Sequence, residues 1–133
     1  MTTLVDTNVL IRHLTGDPPD LARRATAYLA SRATGEPLVM PDLILAEFVY
    51  VLESVYEVPR HRVAELARSV LTSESIRTAD VGLLLRAVEV YEVHRIEFSD
   101  AYLVALAETA GAGGIASFDR SIDRVPTITR IEP

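Results

Sequence analysis

The strongest constraint on the fold is an alternation of segment lengths. Short strand-like segments, "TLVD" at 3–6, "LVM" at 38–40, "SIRTAD" at 75–80, "GGIASFD" at 113–119 and "PTITRIE" at 126–132, are separated by longer stretches with helical periodicity. Short strands alternating with helices predict an α/β sandwich with a mainly parallel sheet. Right-handed crossovers in such a sheet bring the carboxyl ends of its strands to one edge, where ligands bind. The chain is 133 residues long and is expected to form a single domain over 1–133, burying roughly two thirds of its unfolded surface.

After Asp6, "NVLIRHL" places Val9, Leu10, His13 and Leu14 on adjacent turns of a short helix. A second helix is predicted over Pro18–Arg32, capped by Asp17 or Asp20, with Leu21, Ala25, Tyr28 and Leu29 on one stripe. Pro41 and Asp42 open a third, "DLILAEFVYVLESVY", which is apolar almost all round and therefore predicted to be buried. A fourth runs from Arg60 to Leu71 and a fifth over 80–93, while Asp100 opens a sixth that stops at Gly111, a residue suited to a helix C-cap.

Two apolar runs end in an aspartate, Asp6 after "TLV" and Asp119 in "GGIASFD". A strand that merely stopped would end more cheaply in Gly or Pro, so each carboxylate reads as a helix cap, as chemistry, or as both. Glu47 is set among Leu43, Ile44, Tyr50 and Val51, its neighbours at helical spacing. A carboxylate buried there must be paired, protonated or metal-bound. Asp100 sits at a helix start, where the dipole favours it. Asp123 lies four residues after Asp119, and a helical turn there would make the two repel unless a cation, Arg120 or Arg124 offsets them.

Carboxylates gathered about 5 Å apart repel by roughly 3 kcal/mol per pair at an effective dielectric near 20, and a divalent cation relieves this. The chain has no cysteine, so disulfides and thiolate ligands or nucleophiles are excluded. His13, His61 and His94 join no metal-spacing motif. Oxygen-only donors select hard ions, Mg²⁺ or Mn²⁺. The net charge of −6 argues against a basic nucleic-acid surface, but a bound ion supplies local positive charge. There is no G-x-S-x-G elbow and no H-E-x-x-H, and "GAGG" lacks the P-loop lysine; all 13 basic residues are arginine. The longest apolar run, "LILAEFVYVL", is too short to span a bilayer, and the start of the chain lacks the pattern of a signal peptide. A cytoplasmic protein is expected.

The order of motifs, "LVDTNVLI", Glu47 within "LAEFVYVL", "FSDAYLVALA" and "IASFDRSID", resembles the PIN-domain ribonucleases, in particular the VapC-type toxins of bacterial toxin–antitoxin pairs. The resemblance implies a PIN-like three-layer sandwich and a Mg²⁺- or Mn²⁺-dependent endoribonuclease, with Asp6, Glu47, Asp100 and Asp119 as its acids. Asp123 matches a position acidic in some members, which leaves open whether it is also a ligand. The resemblance further implies that Thr7, Asn8, Ser99 and Ser117 support the acids by hydrogen bonding. It implies a homodimer and a cognate antitoxin that covers the acidic cleft. Arg12, His13 and Arg120 are placed to contact phosphates of an RNA substrate, and single-stranded loops are the expected targets. Two readings compete: a PIN-like domain that binds without cleaving, and a phosphate-handling α/β enzyme or receiver with Asp6 as acceptor. The second lacks both a lysine and a second aspartate at position 8, where Asn8 stands.

Overall fold

A computed structural model describes all 133 residues. Its contacts divide the chain into two units, Met1–Val81 and Gly82–Pro133. Every strand pairing is parallel, as short strands joined by helices require.

In the first unit the order is α1 (Thr7–Thr15), α2 (Pro19–Ala33), β1 (Leu38–Val39), α3 (Asp42–Ser54), α4 (Arg60–Leu71) and β2 (Ile76–Arg77). β1 is central. Leu38 and Val39 pair with Ile76 and Arg77 on one side, and Val39 bridges Leu4 on the other. The predicted strand at 3–6 is thus a single bridge, held by Val5 N–H to Val39 C=O and Val39 N–H to Thr3 C=O at 3.0 and 2.9 Å. Val5 is buried but Leu4 is 64% exposed, as alternation along an edge strand dictates. Asp6 follows directly at the carboxyl edge, and α3 starts at the same end of β1, two residues after Met40.

α3 corrects one expectation. It is not buried all round: Leu45, Phe48, Val49 and Leu52 form the inner stripe, while Leu43 and Tyr50 are 76% and 68% exposed. Glu47 lies on that outer face and is exposed. Its apolar neighbours do not bury it, because Leu43 and Tyr50 are themselves exposed and Ile44 and Val51 are only half-buried. α2 begins one residue later than predicted, with Pro18 as N-cap and no side-chain cap from Asp17 or Asp20. Proline fixes the φ that a first turn needs, and it replaces the carboxylate cap here. Of the predicted stripe, Ala25 and Leu29 are buried, with Ala22 in place of Leu21 and Tyr28.

α5 (Val81–His94) carries the chain into the second unit, followed by α6 (Phe98–Ala110), β3 (Gly114–Ala116), a 3-10 turn (Arg120–Arg124) and β4 (Thr129–Ile131). β3 and β4 pair in register from Gly114↔Thr129 to Ala116↔Ile131. Gly114 lets the two strands approach closely: a Cβ there would lie 2.7 Å from Ile131 Cδ1, which would have to move, and 3.1 Å from the Thr129 carbonyl oxygen. Gly111 caps α6 at φ 70°, as its position in the sequence predicted. Arg86 on α5 grips both oxygens of Glu108 on α6, at 2.8 and 2.9 Å, and Thr127 donates to the same carboxylate. No helix is long and apolar enough to cross a membrane.

Candidate active site

Asp6 stands at N-cap of α1 with extended backbone, and its Oδ1 accepts the Thr7 N–H at 2.8 Å. Oδ2 has no partner within the chain. Glu47 is reached five residues into α3, which packs on α1. It too makes no hydrogen bond or ion pair. Asp6, Thr7, Asn8, Arg12 and Glu47 line one cleft of about 330 Å³, in which Arg12 is the basic side chain. Thr7 is 3% exposed, and its hydroxyl is buried without a hydrogen-bond partner. Leaving a buried hydroxyl unpaired costs about 1–3 kcal/mol. His13 is turned away to α2, where Nδ1 meets Thr26 Oγ1 at 2.7 Å. It does not line the cleft.

The second unit brings Asp100 and Asp119 together. Asp100 lies in the first turn of α6, not at its cap, which is Glu97. Burial chiefly, then a hydrogen bond to Asp119 and the charges of Asp119 and Glu97, push the Asp100 pKa up to about 6. The helix dipole favours the ionised form, and burial beside a second carboxylate overcomes it. Asp119 moves the other way. Its carboxylate is held below the usual range chiefly by Ser121, whose N–H donates to Oδ1 at 2.9 Å, and also by Asp100 and Arg124. When Asp100 is protonated, its hydroxyl donates to the Asp119 carboxylate.

The segment bearing Asp119 is braced by a residue the sequence did not single out. Arg130, on β4, donates from Nη1 to the Ser117 carbonyl at 2.9 Å and takes both oxygens of Asp123 at 3.1 and 3.3 Å. Asp123 is thus committed to Arg130 and ends the 3-10 turn in an ion pair. A lone arginine in a β-rich segment carries no signal of its partner, which is why spacing did not find it. The Ser117 hydroxyl accepts the Asp119 N–H at 2.9 Å and fixes that residue's backbone. Ser99, next to Asp100, is exposed, and so is Arg120, whose guanidinium comes no nearer to Glu132 than 4.0 Å.

The acids therefore come as two pairs, Asp6 with Glu47 and Asp100 with Asp119. In neither unit do three or more Asp, Glu or His side chains converge closely enough to enclose a metal ion alone. The donors do fit a hard divalent ion: all are oxygens, Asp6 Oδ2 and Glu47 are uncommitted, and the Thr7 hydroxyl lacks a partner. Below about pH 6 Asp100 carries a proton beside Asp119 that such an ion would replace.

Two sequence comparisons bear on this arrangement. The PIN domain matches residues 3–128. A VapC ribonuclease of Aquifex aeolicus (strain VF5) is 25% identical over 122 residues, which make up 92% of this chain and 90% of that protein.

Proposed function

The chain belongs to the PIN-domain family, and from that premise we propose that it is a VapC-type toxin, a Mg²⁺- or Mn²⁺-dependent endoribonuclease that forms one PIN-like domain over 1–133 and acts in the cytoplasm. The observation that carries this reading is the cleft of the first unit, lined by Glu47, which has no partner, and by Asp6, whose Oδ1 alone is engaged, beside the buried, unpaired Thr7 hydroxyl. The 25% identical VapC ribonuclease supports the same activity. In this reading Asp6 and Glu47 of the first unit, and Asp100 and Asp119 of the second, are the carboxylates that serve as ligands to a divalent ion.

The ion, when bound, supplies positive charge for the phosphodiester oxygens and lowers the pKa of water, so hydrolysis needs no covalent nucleophile. The chain's own residues set the stage for that chemistry. The Thr7 N–H locks Asp6 through Oδ1, which leaves Oδ2 free and fixed in direction. The Thr7 hydroxyl orients a ligand oxygen, Arg12 and the exposed Arg120 draw in RNA phosphates, and Ser117 and Arg130 hold Asp119 in place. A homodimer and a cognate antitoxin complete the proposal. The exposed Leu43 and Tyr50 of α3 supply apolar area for such an interface.

Cleavage of a mixed panel of RNAs by purified protein, with Mg²⁺, with Mn²⁺ and with EDTA, tests the assignment beside Asp6→Asn. Cutting that needs metal and Asp6 is expected. A folded chain that binds RNA and never cuts it would leave only a PIN-like binding domain.

Two further results are expected. Because an ion must displace the Asp100 proton, cleavage should rise with pH through about 6 and be about tenfold slower at pH 5 than at pH 7. A rate flat across that range would remove Asp100 from the ion's ligands. Thr7→Val keeps the shape and deletes a hydroxyl that bonds to nothing in the chain. Its melting temperature should hold or rise, while cleavage falls about 10–100-fold, the usual effect of losing support to a metal ligand. A variant that cuts at the parental rate would make the hydroxyl a packing accident.

A further inference from the structure

We propose that Phe118 is a stacking platform for an unpaired nucleobase beside the scissile phosphate. The inference rests on the ribonuclease reading and adds the group that recognises substrate. Phe118 is 73% exposed and lies one residue, about 3.8 Å along the chain, from Asp119. A single exposed apolar side chain needs no explanation by itself. What distinguishes this one is how its backbone is held.

Both neighbours of Phe118 are fastened. Ser117 gives its N–H to the Ile131 carbonyl at 3.0 Å and receives Arg130 on its own carbonyl at 2.9 Å. Asp119 gives its N–H to the Ser117 hydroxyl and receives the Ser121 N–H on Oδ1. The ring therefore sits at the tip of a braced turn, and only its two side-chain torsions remain to be ordered on binding. Preorganisation of this kind favours a platform over a flexible apolar contact.

The flanking charge points to the same ligand. Arg120 follows Asp119, and its side chain is 81% exposed. Phe118 and Arg120 thus flank Asp119, with a π-face for a base and a guanidinium for the backbone phosphate. Aromatic stacking with cationic contact is how proteins hold single-stranded nucleic acid, and it tolerates any base because every base has a π-face. An A-form helix presents no free base face, so the platform selects unpaired segments.

The chain contains no tryptophan, so Phe118→Trp introduces one fluorophore at the platform itself. A single-stranded RNA decamer added in EDTA, where no cutting occurs, should quench that fluorescence. An RNA hairpin with a fully paired stem and a capped loop should quench it much less. In cleavage assays of the same decamer, Phe118→Ala should raise KM about tenfold or more with kcat within a factor of two. Phe118→Leu, which keeps apolar area and loses the π-face, should behave like the alanine variant, and Phe118→Trp like the parent. All three should melt with the parent protein.

Parental KM values in the alanine and leucine variants of an active enzyme would overturn the platform and leave the nuclease reading intact. A leucine variant with parental KM beside a defective alanine variant would also overturn it, since apolar contact would then suffice. So would variants that cut normally but lose self-association in light scattering, because the ring would then be a protein contact. Quenching by the decamer in a chain that never cuts would uphold the platform while the nuclease reading fell.

Discussion

Asp100→Asn should leave a folded chain whose RNA cleavage, if Asp100 is an ion ligand as proposed, is at least about a hundredfold slower. The bound on activity follows from metal-site energetics: losing a group that merely orients a ligand costs about 10–100-fold, so losing a ligand costs at least the upper end of that range. Folding is spared because the amide keeps the shape of the carboxyl and can donate to Asp119 as the Asp100 proton does. The sign of the pH effect reinforces the point. The folded chain holds the Asp100 proton more tightly than the unfolded chain, since the pKa is raised from 3.8 to about 6. The stability linked to this group is fully present below 3.8 and lost as pH climbs through 6. Asparagine mimics the protonated form at every pH, so at pH 7.5 the variant should melt no lower than the parent. Melting below the assay temperature would convert the lost activity into lost folding and remove the argument.

Glu47 and Phe48 are adjacent on α3, yet their replacement should have opposite consequences. Glu47 is on the outer face without a partner, whereas Phe48 is fully buried. Glu47→Gln should leave the melting temperature unchanged and reduce cleavage at least about a hundredfold. Phe48→Ala opens a cavity and should lose about 3–5 kcal/mol, a large share of the roughly 5–15 kcal/mol that holds a domain folded. Thermal melts and RNA cleavage on the two variants separate the faces of the helix. A destabilised Glu47→Gln would mean that the carboxylate serves the fold.

That pair also shows where sequence reasoning reached and where it stopped. The helices were legible because 3.6-residue periodicity and proline punctuation are local: α4 occupies Arg60–Leu71 as predicted, and α3 starts at Asp42 after Pro41. Strands of two or three residues are too short to display a period, so their pairing into one ladder around β1 and another of β3 with β4 depends on distant partners. The argument that an acid among apolar neighbours must be paired was sound but was applied to the wrong helix. Glu47 is exposed, while Glu108, in the apolar α6, is half-buried and clamped by Arg86. Which face of a uniformly apolar helix meets solvent is set by tertiary packing, and periodicity carries no signal of it.

The acids themselves were readable because like charges recur at chemically wasteful places. Asp6 resolves both ways at once: one oxygen binds the first N–H of α1 and the other stays free. Asp119 likewise caps the 3-10 turn while it meets Asp100. Sequence left open whether Asp123 joins Asp119 as a ligand, and the position of Arg130 places it in an ion pair.

The central claim is that these carboxylates hold a divalent ion. Electron paramagnetic resonance of Mn²⁺ titrated into the parent chain, Asp6→Asn and Asp100→Asn, without RNA, tests it directly. The parent should deplete the six-line signal of free Mn²⁺, and each variant should bind at least about tenfold more weakly. Equal depletion by all three folded proteins would place the ion elsewhere and contradict the account.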